Sequence, residues 1–276
     1  MARLILLNMP IGNMADMTAR VRDALENGSY FAVEDTRSFR EFLHRNGINS
    51  QNKHLLSLHD QSSDAKFERL LEVVWQGHDL YVASEAGSPI LSDPAFPLVR
   101  LAYEKGVEVE TFSGISSVIA ALELSGLPPL PFSFHGFLSR DEGKIRSYFS
   151  SLGAGTHIFF EAPGRIRQTL AMAVEEWPQS EFAIVKEMGK TYQKVRRFQG
   201  PEGLVALDEM MERGEFVWLV HIPKDPRPRV PPNVLQQALD ILAEGAGKKD
   251  LSRLLGEILE RPSKEIYAEL MKGAKD

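Results

Sequence analysis

The sequence predicts an α/β protein built from two α/β domains and a small helical appendage, and three observations carry that expectation. Apolar strand-like and helical stretches alternate from Leu4 to Leu124, the pattern of a layered α/β domain. The run Gly126-Leu127-Pro128-Pro129-Leu130-Pro131 then excludes a helix and marks a boundary. Beyond it, strands outnumber helices, which predicts a mixed sheet, until a stiff proline-rich stretch from Pro223 to Pro232. The expected division is an N-terminal α/β domain over 1–127, a second over 128–223, a linker over 224–232 and a helical region over 233–276.

Leu4 to Leu7 reads as a central strand, followed by a tight bend at Asn8-Met9-Pro10-Ile11-Gly12-Asn13. Asp16 is the expected cap of a helix whose inward face is Val21, Ala24 and Leu25, ended by Asn27-Gly28. Tyr30 to Val33 is a second strand, with Glu34-Asp35-Thr36-Arg37 at its end. Three ionisable groups in four positions are costly to bury and useful in a cleft. The same tetrad also reads as a helix start, capped by Asp35 or Thr36, with Arg37 facing water. Phe39 to Leu43 continues helically to Asn46-Gly47. Leu55 to Leu58 is a third strand leading to His59-Asp60, where His59 either touches a substrate or satisfies a local hydrogen bond. An amphipathic helix follows over 65–76.

Asp79 to Ala83 is a buried strand, and Ser84 to Pro94 (S-E-A-G-S-P-I-L-S-D-P) is the stretch around which the chain is organised. Small residues at a strand end let the backbone come close to a ligand, with N–H groups free to hold an anion or a polar group. In open α/β folds the ligand crevice lies at the carboxyl ends of the strands. A plain surface turn explains the same composition. A helix over 95–104 and a strand beginning at Val107 come next. Ser113 to Ser117 leads into an apolar helix over 118–124, where Ser116 or Ser117 either caps the helix or faces a cofactor.

In the second half, strands are expected at 132–137, 157–160, 181–185, 191–198 and 215–222, with helices over 144–152, 166–176 and 205–211. The tail carries three helical faces: Leu235, Ala238, Leu239 and Leu242; then Leu251, Leu254, Leu255, Ile258 and Leu259; then Ile266, Tyr267 and Leu270.

Composition narrows the chemistry. No Cys is present, which removes disulfides, thiolate nucleophiles and Cys-built metal sites and fits a cytoplasmic protein. The seven His residues show no metal-ligand spacing, so no metal is expected. The first apolar run is too short for a membrane span. A net charge of −6 argues against a general nucleic-acid coat but leaves room for a local basic surface. Lys186, Lys190, Lys194, Arg196 and Arg197 form the one concentrated basic run, which reads as a solvated edge strand or as an RNA-binding surface. There is no Gly-x-Gly-x-x-Gly, no Walker A segment and no Gly-x-Ser-x-Gly elbow. Five polar clusters fall at strand ends: Asn8–Asn13, Glu34–Arg37, Ser84–Pro94, Glu161–Arg165 and Lys186–Lys190. Strand ends on one sheet edge converge, so these clusters are expected to share a cleft.

Those loops, in order, resemble the ribosomal RNA small-subunit methyltransferase I family of the tetrapyrrole (class III) methylases. Pro10-Ile11-Gly12-Asn13 with Ala15-Asp16 is similar to P-I-G-N-L-x-D, Glu34-Asp35-Thr36-Arg37 to E-D-T-R, and Leu58-His59-Asp60 to L-H-D. Glu85-Ala86-Gly87-Ser88-Pro89 through Asp93-Pro94 resembles D-A-G-T-P with D-P-G, and Gly126-Leu127-Pro128 and Gly136-Phe137-Leu138 resemble G-L-P and G-F-L-P. Phe159-Phe160-Glu161 with Arg165 resembles F-Y-E-S-x-x-R, Glu187 with Lys190-Thr191 resembles R-E-L-T-K, and Gly214 to Val217 resembles G-E-x-V. The likeness spans essentially the whole chain.

The resemblance implies two α/β domains with S-adenosyl-L-methionine in the cleft between them, a homodimer, and methyl transfer to the ribose 2′-hydroxyl of a cytidine in small-subunit (16S) rRNA. It places Pro10, Glu85, Ala86, Gly87, Ser88, Ile90, Ser116, Ser117 and Phe160 along the cofactor. It places Glu34, Asp35, Arg37, Glu161, Arg165, Glu187 and Lys190 toward RNA and the transferring methyl. Glu34 or Glu187 is the expected proton acceptor, with Arg37, Arg165 or Lys190 on phosphate. The chain departs from the pattern in Ser113-Gly114-Ile115-Ser116-Ser117, where P-G-P-C-A is usual, in Glu85 for Asp, in Ala95 for Gly, and in Met188-Gly189 for Leu-Thr. Loss of both prolines is expected to loosen the 113–117 loop. The departures leave open a class III methylase acting on a small molecule or protein, and a non-catalytic RNA-associated protein.

Overall fold

Alternate side chains of Leu4–Leu7 (β1) point to opposite faces, and both faces are covered, as a central parallel strand requires. Leu4 and Leu6 pack into one cluster, Ile5 and Leu7 into another. The structure, a computed structural model, describes residues 2–59, 63–91, 94–205, 213–224, 247–258 and 261–272. Tyr30–Val33 (β2), His54–Ser57 (β3), Leu80–Ala83 (β4) and Val109–Phe112 (β5) join β1 in an all-parallel sheet of order β3-β2-β4-β1-β5. Ala19–Asn27 (α1) and Thr36–Arg45 (α2) cover one face through Val21, Leu25, Phe39 and Leu43. Asp64–Trp75 (α3) and Ala95–Glu104 (α4) cover the other through Phe67, Leu71, Leu98 and Ala102.

The cap of α1 differs from expectation. Asp16 belongs to a short 3₁₀ turn over Met14–Asp16, and the Thr18 hydroxyl accepts from the Val21 amide instead. The extended stretch at Met17 and Thr18 postpones the helix start by a few residues, so the nearer hydroxyl takes the cap.

Ser117–Ser125 (α5) leaves the first sheet and packs on the second, with Val118, Ala121 and Leu122 against Ile158, Ala183, Val217 and Leu219. Gly126, at φ +62°, closes α5 in the left-handed conformation that glycine adopts without strain. The second sheet is mixed, as its sequence predicts: Phe132–Phe137 (β6), Gly155–Glu161 (β7), Glu181–Lys186 (β8), Lys194–Gln199 (β9) and Phe216–Ile222 (β10) lie in the order β6-β7-β10-β8-β9. Only β6 and β7 run parallel. Glu142–Ser151 (α6) and Ile166–Glu176 (α7) cover the face opposite α5, around Trp218, which stacks on Phe159 at 4.2 Å and meets Phe149 edge-on at 6.0 Å. Each of these buried aromatics contributes about 1.5–3 kcal/mol of apolar transfer. A short helix, Gly200–Val205 (α8), precedes the last strand; the expected helix over 205–211 lies outside the described residues beyond Val205.

Residues 1–223 form one compact unit holding both sheets, and a second unit begins at Lys224. In that second unit Lys248–Ile258 (α9) and Ser263–Lys272 (α10) pack together and bury Leu251 and Ile266. The expected linker and the helical face at 235–242 lie outside the described residues. No described helix is long and apolar enough to cross a membrane.

Candidate active site

Strand direction gathers the polar loops. In the parallel sheet, β1, β2 and β4 all end at the same edge, delivering 8–13, 34–37 and the start of 84–94 side by side. In the mixed sheet, β7 and β8 are both antiparallel to β10, so both finish where β10 begins: Phe216 pairs with Glu161 on one side and Lys186 on the other. The two edges meet at Gly12. A Cβ there would lie 2.6 Å from Lys190 Cγ and 3.0 Å from the Met188 carbonyl oxygen, so only glycine allows the contact.

Between the edges lies a cleft of about 450 Å³. Its walls are mostly apolar, with Phe137, Phe160, Val185, Met188, Phe216 and Val217, and polar groups enter from Ser117, Glu161 and Glu215. Of the residues expected along a cofactor, Ala86, Ser117 and Phe160 line it. Phe160 is held edge-on by Phe134 at 4.8 Å and lies 5.4 Å from Phe137. The 84–88 loop is fixed by paired backbone bonds, Met9 N–H to Gly87 O at 2.8 Å and Gly87 N–H to Met9 O at 3.0 Å, and by the Ser84 hydroxyl donating back to Gly87 O. Pro10 is buried directly after this bridge. Ile90 packs partly against the first sheet's core, Ser88 accepts from the Ile90 amide, and Ser116 stands at the N-cap of α5 without a side-chain cap bond.

A separate hollow of about 260 Å³ collects Glu34, Asp35 and Glu85 with Met9, Ser38 and Arg45. Glu34 and Glu85 are exposed. Asp35 caps α2, its Oδ1 accepting from the amides of Arg37 at 2.7 Å and Ser38 at 3.1 Å, and those bonds hold its carboxyl below the usual carboxylate range. Arg37 points outward, paired at 3.8 Å with Glu41.

Glu161 is fully buried yet satisfied: it accepts from its neighbour's amide, Ala162 N–H, at 2.9 Å and from the Thr169 hydroxyl at 2.7 Å, with Arg165 at 3.5 Å. Arg165 donates onward to the carbonyls of Leu138 and Ser139, tying the end of β6 to the end of β7. Glu187 stands at φ +51°, outside the region most side chains favour. Its Oε1 accepts from the Glu215 amide at 2.8 Å and lies 3.4 Å from Lys190 Nζ, and the amide first, then the lysine, keep its carboxyl below the usual range. Lys190 also pairs with Glu215 at 2.9 Å. Burial works against the Lys190 ammonium, but Glu215 and Glu187 outweigh it and hold it above the ordinary lysine value.

Sequence reasoning missed the wall formed by Phe137, Met188 and Phe216, and underused Glu215. It looked for chemistry where strands end, whereas an antiparallel strand brings its start to the same edge. The Gly214-Glu215-Phe216-Val217 motif was the available signal. At the 113–117 loop the backbone passes close to the end of β1: a Cβ on Gly114 would meet the Asn8 carbonyl oxygen at 2.7 Å, and just before the loop the Asn8 amide group bonds Thr111 and Phe112. Among the described residues no cluster of His, Asp or Glu has the arrangement of a metal site.

The family model of tetrapyrrole (corrin/porphyrin) methylases matches residues 3–204. The chain is 30% identical over 269 residues to the ribosomal RNA small subunit methyltransferase I of Vibrio cholerae, covering 96% of this chain and 92% of that one. It is 33% identical over 263 residues to the protein of the same name in Xylella fastidiosa, covering 94% and 95%. Among solved structures it is similar to the methyltransferase CobJ, with a TM-score of 0.58, 16% identity, and 84% and 98% of the chains covered. It is also similar to diphthine synthase, with a TM-score of 0.57, 14% identity, and 79% and 89% covered. These two likenesses establish the fold.

Proposed function

The chain belongs to the ribosomal RNA small subunit methyltransferase I family of tetrapyrrole methylases, and from that premise we propose that it transfers the methyl group of S-adenosyl-L-methionine to the ribose 2′-hydroxyl of a cytidine in small-subunit rRNA. The observation that carries the reading is the cleft where the two sheet edges meet, about 450 Å³ with aromatic walls and polar groups at intervals. That size and lining suit a nucleoside carrying an amino-acid tail. In this reading residues 1–127 and 128–223 are two domains with the cofactor between them. Phe160 offers a flat apolar face to the adenine, and Ala86, Gly87 and Ser117 leave room and backbone groups for the polar parts. When bound, the cofactor supplies an electrophilic methyl on a sulfonium.

The chain's own task is to aim and deprotonate the hydroxyl. With the cofactor held in the cleft, its sulfonium methyl would pass to the ribose oxygen, leaving the neutral thioether, and the hydroxyl proton would pass to a carboxylate. We assign that role to Glu34, an exposed carboxylate at the end of β2 with no hydrogen-bond partner among the described residues. Glu187 is less suited, because its bonds to the Glu215 amide and Lys190 favour the ionised form and weaken it as a base. Its use here is to keep the 187–190 loop against Gly12. Arg37, exposed on the same turn as Glu34, is free to turn from Glu41 to a phosphate. The same reading takes the protein as a cytoplasmic homodimer, and a single sedimenting species of monomer mass would remove the second part.

The test is titration with S-adenosylhomocysteine by calorimetry, followed by labelled methyl transfer to small ribosomal subunits lacking the modification. Micromolar binding and incorporation of label into rRNA are expected. Flat heats in folded protein would overturn the reading, and binding without transfer would redirect it to another acceptor.

A further inference from the structure

The helical unit that begins at Lys224 lies beyond residues 3–204, so the methylase chemistry leaves it unexplained. Its helices α9 and α10 leave a groove of about 360 Å³ between them. Lys249 and Arg253, one turn apart on α9, and Lys264, at the start of α10, line it together with Ser263 and Tyr267. Asp250 is the one carboxylate among the described lining residues. Among the described residues none of the three cations has an acidic partner, whereas in the first unit Arg22, Arg45 and Arg100 each sit against a glutamate one turn away. Three cations around one concavity, against the single carboxylate of Asp250 among the described lining residues, leave a net positive charge that an anion relieves.

We propose that this groove binds the phosphodiester backbone of RNA, with Lys249, Arg253 and Lys264 on phosphate oxygens, the Ser263 hydroxyl as a further donor, and the exposed Tyr267 ring as a surface for a sugar or base. The identity of that RNA as small-subunit rRNA rests on the function proposed above; the groove's phosphate chemistry does not. An anionic membrane shares the phosphate but fits less well. Leu251 and Ile266 are buried within the hairpin, and among its described residues the exposed large apolar side chains are Tyr267 and Met271, too few to make the apolar face that an interfacial helix inserts among lipid chains.

The full-length protein carrying K249Q, R253Q and K264Q together should lose about tenfold or more of its affinity for a labelled small-subunit rRNA fragment at about 0.1 M salt. The slope of log affinity against log salt should shrink by about 2–3. Its affinity for S-adenosylhomocysteine should not change, which reports that the first unit is folded. A control triple of equal charge, R22Q, R100Q and K105Q, should retain most RNA affinity. The K249R, K264R pair should behave as the unsubstituted protein.

Unchanged RNA affinity and slope in the first triple would overturn the proposal, as would an equal loss in the control. Vesicles of phosphatidylglycerol and phosphatidylcholine that bind in a Lys249- and Lys264-dependent way and displace the RNA would assign the groove to lipid instead. If the unsubstituted protein fails to methylate small subunits while the triple still loses RNA, the groove stands and the proposed reaction falls.

Discussion

Glu187 gathers a backbone amide and a lysine onto one carboxylate from a left-handed backbone position, so the 187–190 loop depends on that charge. Its pKa lies below the unfolded value, so it stabilises the fold above about pH 4.3 and loses that contribution as pH falls through the lowered value. E187Q keeps an acceptor for the Glu215 amide but not the charge. Its melting temperature should fall less steeply below about pH 4.3 than that of the unsubstituted protein.

A second titrating pair acts in a different window. His157 Nε2 lies 2.9 Å from the Gly153 carbonyl and must donate there, which leaves its Nδ1 to accept from His135 Nε2 at 2.9 Å; His135 Nδ1 then accepts from the Tyr148 hydroxyl at 2.6 Å. Burial, and then His157, push His135 down to about 4, and burial lowers His157 as well. Both are depressed in the folded state, so their stabilisation is complete above about pH 6.5 and is lost as pH falls from there. Melting curves between pH 7 and 4 should show that loss, and H135Q should flatten it while lowering the melting temperature near neutrality, because the stack on Phe159 at 4.7 Å is gone. An unaltered slope in H135Q would assign the window to other groups.

At the scale of elements, the start of α2 separates capping from chemistry. Asp35 accepts from two amides of the first turn, so D35A should lower the midpoint of urea unfolding. D35N, an equally good cap, should be near neutral in stability. If D35N also keeps full methyl transfer, Asp35 is a cap alone; a large loss of transfer at unchanged stability would give it a part in the reaction. The tetrad Glu34-Asp35-Thr36-Arg37 was legible in sequence as a polar strand end and as a helix start. Nothing local decided between them, because the same carboxylate serves either purpose until its amide partners are in place. Asp16 shows the reverse, a good capping residue in the sequence that the chain path passes over in favour of Thr18.

At the scale of the whole molecule, the cleft depends on two loops approaching from different sheets. G12A puts a methyl group against the Gly189 and Met188 backbone, which cannot yield as the Lys190 side chain can. It should cost about 1–3 kcal/mol of stability and weaken S-adenosylhomocysteine binding. Calorimetry at a temperature where both forms are folded checks this, and unchanged binding would separate the Gly12 contact from the cleft.

The alternating apolar periods, the glycine and proline stops and the order of polar motifs were enough to point to most of the described elements, the layered α/β first half, the mixed second sheet and the family, because those signals are local and survive in one dimension. Only the tertiary structure decided that Glu34 and Asp35 occupy a different hollow from Phe160, that Glu161 and Arg165 spend their hydrogen bonds on the surrounding chain, and that Glu215 joins Lys190 at the start of β10. Those outcomes depend on strand direction and on distances between residues far apart in sequence. Hydrogen bonding and burial act through space, and chain order alone does not specify them.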